Sequence, residues 1–185
     1  MATGPVESAE GVVGVAYAHF YVESRGLREP PRFVFDDDDG FLAVMDDVVA
    51  LHATSDVIRS ANVRIEAWDR LPEVGGPGEA EVAEGTVALS DGAVRARAVP
   101  ATAPDIDTVP VGPAGWYHVR AFRWGADVDG RVEHFLLQLW PSGEPAAADR
   151  SRPAEPDELT AWNRQIRQWA DAQGFRGSGG RGGHD

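Results

Sequence analysis

The sequence contains no cysteine, and all 17 of its basic residues are arginine, so it has no lysine either. Without cysteine there is no thiol nucleophile, thiolate zinc site, iron–sulfur cluster or redox dithiol. Without lysine there is no P-loop lysine, no Schiff-base lysine and no kinase-type phosphate lysine. No apolar run approaches the roughly 18 residues of a membrane span. Residues Met1 to Gly14 have neither a basic n-region nor a long apolar h-region, so no secretory signal is visible and a cytoplasmic location is expected.

What is present is ordinary in amount and lopsided in charge. With 185 residues, 43% hydrophobic and 25% charged, the chain suits one globular domain. A domain near this size buries roughly 70% of the surface of its unfolded chain and needs no metal or disulfide to hold a core. The formal net charge of −13 opposes association with nucleic acid or anionic membrane, both of which need clustered cations; it suits a basic protein partner, or simply keeps the protein soluble. The abundance of Ala, Gly, Pro, Val, Asp and Arg fits a bacterial genome of high GC content.

Apolar stretches and breakers give a mainly β reading. The run Val12 to Val22 predicts one strand covered on both sides. Arg32 to Phe35 leads into the acidic run Asp36 to Asp39 and Gly40, and Phe41 to Met45 and Val48 to Thr54 flank a turn at Asp46-Asp47. Asn62 to Asp69 alternates as a half-buried strand, with Val63, Ile65 and Ala67 on one side. Glu79 to Leu89 and Ala93 to Val99 read as a hairpin joined at Ser90-Asp91-Gly92, because Asp-Gly tolerates positive φ. Pro100 to Gly115, with four prolines, reads as an irregular connection.

Trp116 to Trp124 and Val132 to Trp140 form the clearest pair. Opposing Arg123 to Glu133 and Trp116 to Trp140 sets a register that also places His118 opposite Gln138. Leu159, Trp162, Ile166 and Trp169 then mark an amphipathic helix. The expected organisation is a flexible N-terminus over 1–11, a β-sandwich domain of jelly-roll or Greek-key type over 12–141, a linker over 142–155, a C-terminal amphipathic helix over 156–174 and a disordered tail over 175–185.

No motif commits the chain to a chemistry. Gly177, Gly179 and Gly182 spell G-x-G-x-x-G after a helix, where no βαβ unit surrounds them. An EF-hand loop aligned on Gly40 finds Phe35 at its first position and Asp46 at its twelfth; a weak cation site at Asp36 to Asp39 stays open. The five histidines form no H-E-x-x-H and no serine lies in G-x-S-x-G, so no metal, no cofactor and no catalytic residue is assigned, and an enzyme is the less favoured reading.

Two candidate surfaces remain. Asp36, Asp37, Asp38, Asp39, Asp46 and Asp47 offer negative charge to a basic partner. One face of the late hairpin carries Trp116, His118, Arg120, Phe122, Trp124, His134, Gln138 and Trp140, the aromatic and Arg mixture of a recognition surface. That face is covered by the protein itself, by the helix stripe or a second sheet, or it is a site for a small molecule or a partner. A second copy of the chain is one such partner.

The order of features resembles the competence protein J (ComJ) family: Val15-Ala16-Tyr17-Ala18-His19-Phe20, an acidic segment leading into Gly40-Phe41-Leu42-Ala43, then Val63-Arg64-Ile65-Glu66 and a late Gly115-Trp116-Tyr117. The resemblance spans about Val12 to Trp140. It implies a β-sandwich and, from the family's type member, an acidic inhibitor of a competence DNA-entry nuclease, with no catalytic residues to carry over. The expectation is therefore a non-catalytic acidic protein-binding domain, an inhibitor or immunity-type protein. The alternative is a small-molecule or enzymatic site on the aromatic face of the 116–140 hairpin.

Overall fold

The computed structural model describes residues 4–27, 40–73, 76–99, 104–126 and 132–143. These form ten strands: β1 (Glu7–Gly14), β2 (His19–Ser24), β3 (Leu42–Met45), β4 (Val48–His52), β5 (Ser60–Ala67), β6 (Glu81–Leu89), β7 (Ala93–Ala98), β8 (Ile106–Pro110), β9 (Gly115–Ala126) and β10 (Val132–Pro141). One sheet has the order β1-β5-β10-β9-β6, the other β3-β4-β2-β7-β8. All neighbours are antiparallel except β5 and β10, which run parallel.

The sheets pack as a β-sandwich, as the alternation predicts. Inward residues of both sheets share one core, including Phe20, Val22 and Leu51 from one and Ile65, Val119, Phe135 and Leu137 from the other. Phe20 meets Phe135 edge-on across the interior at 5.1 Å. Such T-shaped pairs contribute about 0.5–1.5 kcal/mol beyond their burial.

Strand positions at β3, β4 and β5 follow the sequence pattern closely, and four other elements depart from it. The run Val12 to Val22 is two strands in different sheets, because the chain turns at Tyr17 and Ala18 with φ of 54° and 61°. It already forms an edge strand at Glu7, inside the segment 1–11 expected to be free. β6 and β7 do not pair: the Asp91-Gly92 turn carries the chain from one sheet to the other. A strand, β8, lies within the proline-rich connection, at a sheet edge where Pro110 removes no ladder bond.

The fourth departure is the β9–β10 register. Trp140 faces His118 and Gln138 faces Arg120, two residues away from the charge-paired expectation. A shift of two keeps every side chain on its predicted face, since the side-chain period is two. Arg123 pairs instead with Glu81 and donates to His52 O, while Glu133 accepts from Thr54 N at 3.0 Å.

Two aspartates close the open sides of the sandwich. Asp47 Oδ1 accepts from Ser24 Oγ at 2.5 Å and Ser90 N at 2.6 Å, and Asp47 N donates to Ala88 O. On the other side Asp105 Oδ2 accepts from Gly14 N at 3.0 Å and Ala98 N at 3.1 Å. Both tie one sheet to the other by satisfying backbone donors near strand ends.

Candidate functional site

The outer face of the first sheet gathers every aromatic-face residue expected from the hairpin. Trp116, His118, Arg120, Trp124, His134, Gln138 and Trp140 all alternate outward from β9 and β10, because their neighbours Tyr117, Val119, Phe135, Leu137 and Leu139 point into the core. Register then sets the pairs. His118 stacks on Trp140 with centroids 5.4 Å apart, and Trp124 stacks on His134 at 5.5 Å. Arg120 lies 5.3 Å over the Trp140 ring and donates to Glu84 Oε1 at 2.6 Å, so its charge is held between a π face and a carboxylate.

Strand β5 adds residues that hairpin reasoning missed. Glu66 stands beside Gln138 in the parallel β5–β10 ladder and is buried. Its Oε1 accepts from Arg64 Nε at 2.9 Å; its Oε2 accepts from Trp68 Nε1 and Gln138 Nε2, both at 3.1 Å. A buried carboxylate is tolerable only with such charge-assisted donors around it. The period-two pattern of Asn62 to Trp68 puts these residues outward, but nothing local shows that β5 lies beside β10, more than sixty residues away.

Two features give the face relief. Phe122 is buried beneath Gly76, where a Cβ would stand 2.3 Å from the ring, so the loop can lie on Phe122 only with glycine there. At the same end of β9 an open groove of about 400 Å³ is lined by Glu10, Val12, Asn62, Arg64, Trp124 and His134. The face thus carries two ring stacks, the guanidiniums of Arg120 and Arg64 and the exposed carboxylates of Glu10 and Glu84, with Gln138 and Trp140 buried within it.

The acidic candidates divide. Asp36, Asp37, Asp38 and Asp39 lie outside the described residues, as do the expected helix 156–174 and the tail. Asp46 is exposed at the β3–β4 turn, whereas Asp47, with φ of 65°, uses Oδ1 on the internal donors named above. His19 and His52 face each other across β2 and β4, a pairing the sequence did not reveal. Burial, then the neighbouring His19 and Arg123, hold the His52 pKa below its ordinary value, against the opposing pull of Glu133. Among the described residues no group of three or more His, Asp or Glu could hold a metal ion.

No protein-family model matches the sequence, and no curated protein matches it significantly. Among solved structures, the crystal structure of ComJ from Bacillus subtilis, inhibitor of the DNA degrading activity of NucA, superposes with a TM-score of 0.56 over 74% of this chain and 98% of that one, at 10% identity. This chain shares its fold with ComJ. The protein of crocagin biosynthetic gene J matches as well, with a TM-score of 0.50, 15% identity and coverage of 74% and 97%. At these identities the likeness to ComJ is one of fold, and at that level it bears out the resemblance read from the strand motifs.

Proposed function

We propose that this chain is a non-catalytic protein-binding module, an inhibitor or immunity-type protein whose partner is basic and of the nuclease kind. The observation that carries this reading is the fold shared with ComJ, an inhibitor of a nuclease, across nearly the whole of that chain. The net charge of −13 supports it, since a protein that occupies a cationic nucleic-acid groove is steered there by complementary potential. Asp46 and the Asp36 to Asp39 segment are the charges assigned to first contact in this reading.

The test is co-purification from a native lysate of the source organism, followed by a DNA-degradation assay. The expected result is a retained nuclease that the chain slows at about 0.05 M salt and releases at about 0.5 M, where the Debye length has shrunk to roughly 4 Å. Absence of any retained nuclease removes the reading.

A second reading, small-molecule capture, rests on the Trp124 and His134 groove of about 400 Å³. It predicts a thermal-shift hit among flat aromatic compounds that disappears in Trp124→Ala. A screen without such a hit disposes of it.

A further inference from the structure

At the opposite end of the same sheet a second groove, of about 410 Å³, lies between the entry to β1, the exit of β5 and the loop 110–113. Its walls are apolar: Val6, Trp68, Val111 and the rings of Pro110, Pro113 and Pro141. Among the described residues its charged lining consists of Glu7 and Asp69, both exposed, with no Arg. Val6 leaves 63% of its surface open beside them.

Each wall is fixed before anything binds. Val6 N donates to Ala67 O and Trp68 N to Leu139 O, which hold the β1 and β5 ends. Val111 N and Gly112 N donate to Gly92 O, and Tyr117 donates from its hydroxyl to Pro113 O at 2.6 Å, which holds the loop from below. Gly112, with φ of 130°, has no room for a side chain, since a Cβ would stand 2.7 Å from that hydroxyl. A proline-walled groove with a pinned backbone loses little freedom on binding, and pre-organisation of this kind raises affinity.

We propose that this groove is the docking site for an extended basic segment of the partner, seating its apolar side chains between Trp68 and the prolines while its Arg or Lys residues meet Glu7 and Asp69. The assignment rests on the proposed reading of a basic partner. It goes beyond that reading in naming the surface and the pattern recognised: alternating basic and apolar residues in extended conformation. Charge complementarity selects this groove over the one at Trp124, whose lining includes Arg64.

The probe is the peptide Ac-Arg-Leu-Arg-Leu-Arg-NH2, titrated into the full chain and followed by amide and indole NMR shifts. Changes should concentrate at Val6, Glu7, Trp68, Asp69, Val111 and Gly112, and the double variant Glu7→Lys, Asp69→Lys should weaken binding about tenfold. The serine analogue Ac-Arg-Ser-Arg-Ser-Arg-NH2 should give only diffuse shifts over the acidic surface. Diffuse shifts with the leucine peptide, a focus elsewhere, no binding, or equal focusing by both peptides overturns the site. The lysate experiment keeps the two proposals apart. A nuclease retained equally by wild type and double variant sinks the groove and leaves the inhibitor reading standing; a peptide docked as predicted with no nuclease retained does the reverse.

Discussion

Replacing Glu23 with glutamine should cost this protein about 3 kcal/mol, a figure that follows from what surrounds the carboxylate. Glu23 is fully buried on the outer face of the second sheet. Its Oε1 accepts from Arg95 Nε at 3.0 Å, Arg95 Nη2 at 2.8 Å and Arg97 Nε at 2.8 Å, while Oε2 is buried with no hydrogen-bond partner among the described residues. Glutamine keeps the volume and one acceptor oxygen. It removes the charge that two guanidinium groups address, and it sets an amide where Oε2 met no donor. Breaking a buried pair in this way costs about 3–5 kcal/mol. The side chain of Arg95 retains 23% of its exposure, so water takes up part of its charge and the lower end applies.

With a urea m-value of about 2 kcal/mol/M, that loss moves the unfolding midpoint down by about 1.5 M at unchanged m. The triple change Glu23→Met, Arg95→Met, Arg97→Leu should return the midpoint to within about 0.5 M of wild type, because a packed apolar set avoids desolvating three charges. A midpoint drop under about 0.3 M for Glu23→Gln, a figure at the scale of an exposed pair, would refute the reasoning.

Asp47→Ala removes the acceptor shared by Ser24 Oγ and Ser90 N and places alanine at a φ of 65°; it should cost about 2 kcal/mol, read as a fall of about 5 °C in Tm, with Asp47→Asn milder. Gly92→Ala brings a Cβ within 2.1 Å of Gly112 O and should cost at least about 2 kcal/mol, whereas Gly78→Ala, with nothing within 4 Å, should stay within about 0.5 kcal/mol; equal midpoints for the two would contradict the packing. His52, its pKa lowered from 6.5, binds a proton less readily folded than unfolded, so its contribution is complete above that value and is lost as pH falls below it. Urea midpoints at pH 7.5 and 5.5 should therefore differ less in His52→Gln than in wild type, and an unchanged difference would sink the assignment.

Local chemistry reached the fold where pattern and pairing are local. The alternation of Asn62 to Ala67, the Asp46-Asp47 turn and the faces of β9 and β10 were all legible from period two and from turn residues. The split of Val12 to Val22 was not, because Tyr17 and Ala18 take positive φ without a glycine to announce it. Asp91-Gly92 gave a true turn signal with the wrong partner, since a turn residue fixes the bend and not the sheet that the next strand joins. For the candidate face, the rings and Arg120 were visible in the hairpin. Glu66 and Trp68 entered only through a parallel pairing between distant strands, and the Pro110 to Pro113 wall only through the bonds from Gly92 and Tyr117.

The central claim is inhibition by contact, and the rate of DNA degradation by a nuclease captured from the source lysate tests it most directly. Titrated with the purified chain at about 0.05 M salt, that rate should fall to near zero at one equivalent, and it should recover at about 0.5 M as screening weakens the charge contacts. A rate unchanged at a roughly tenfold excess of the chain at low salt would contradict the account.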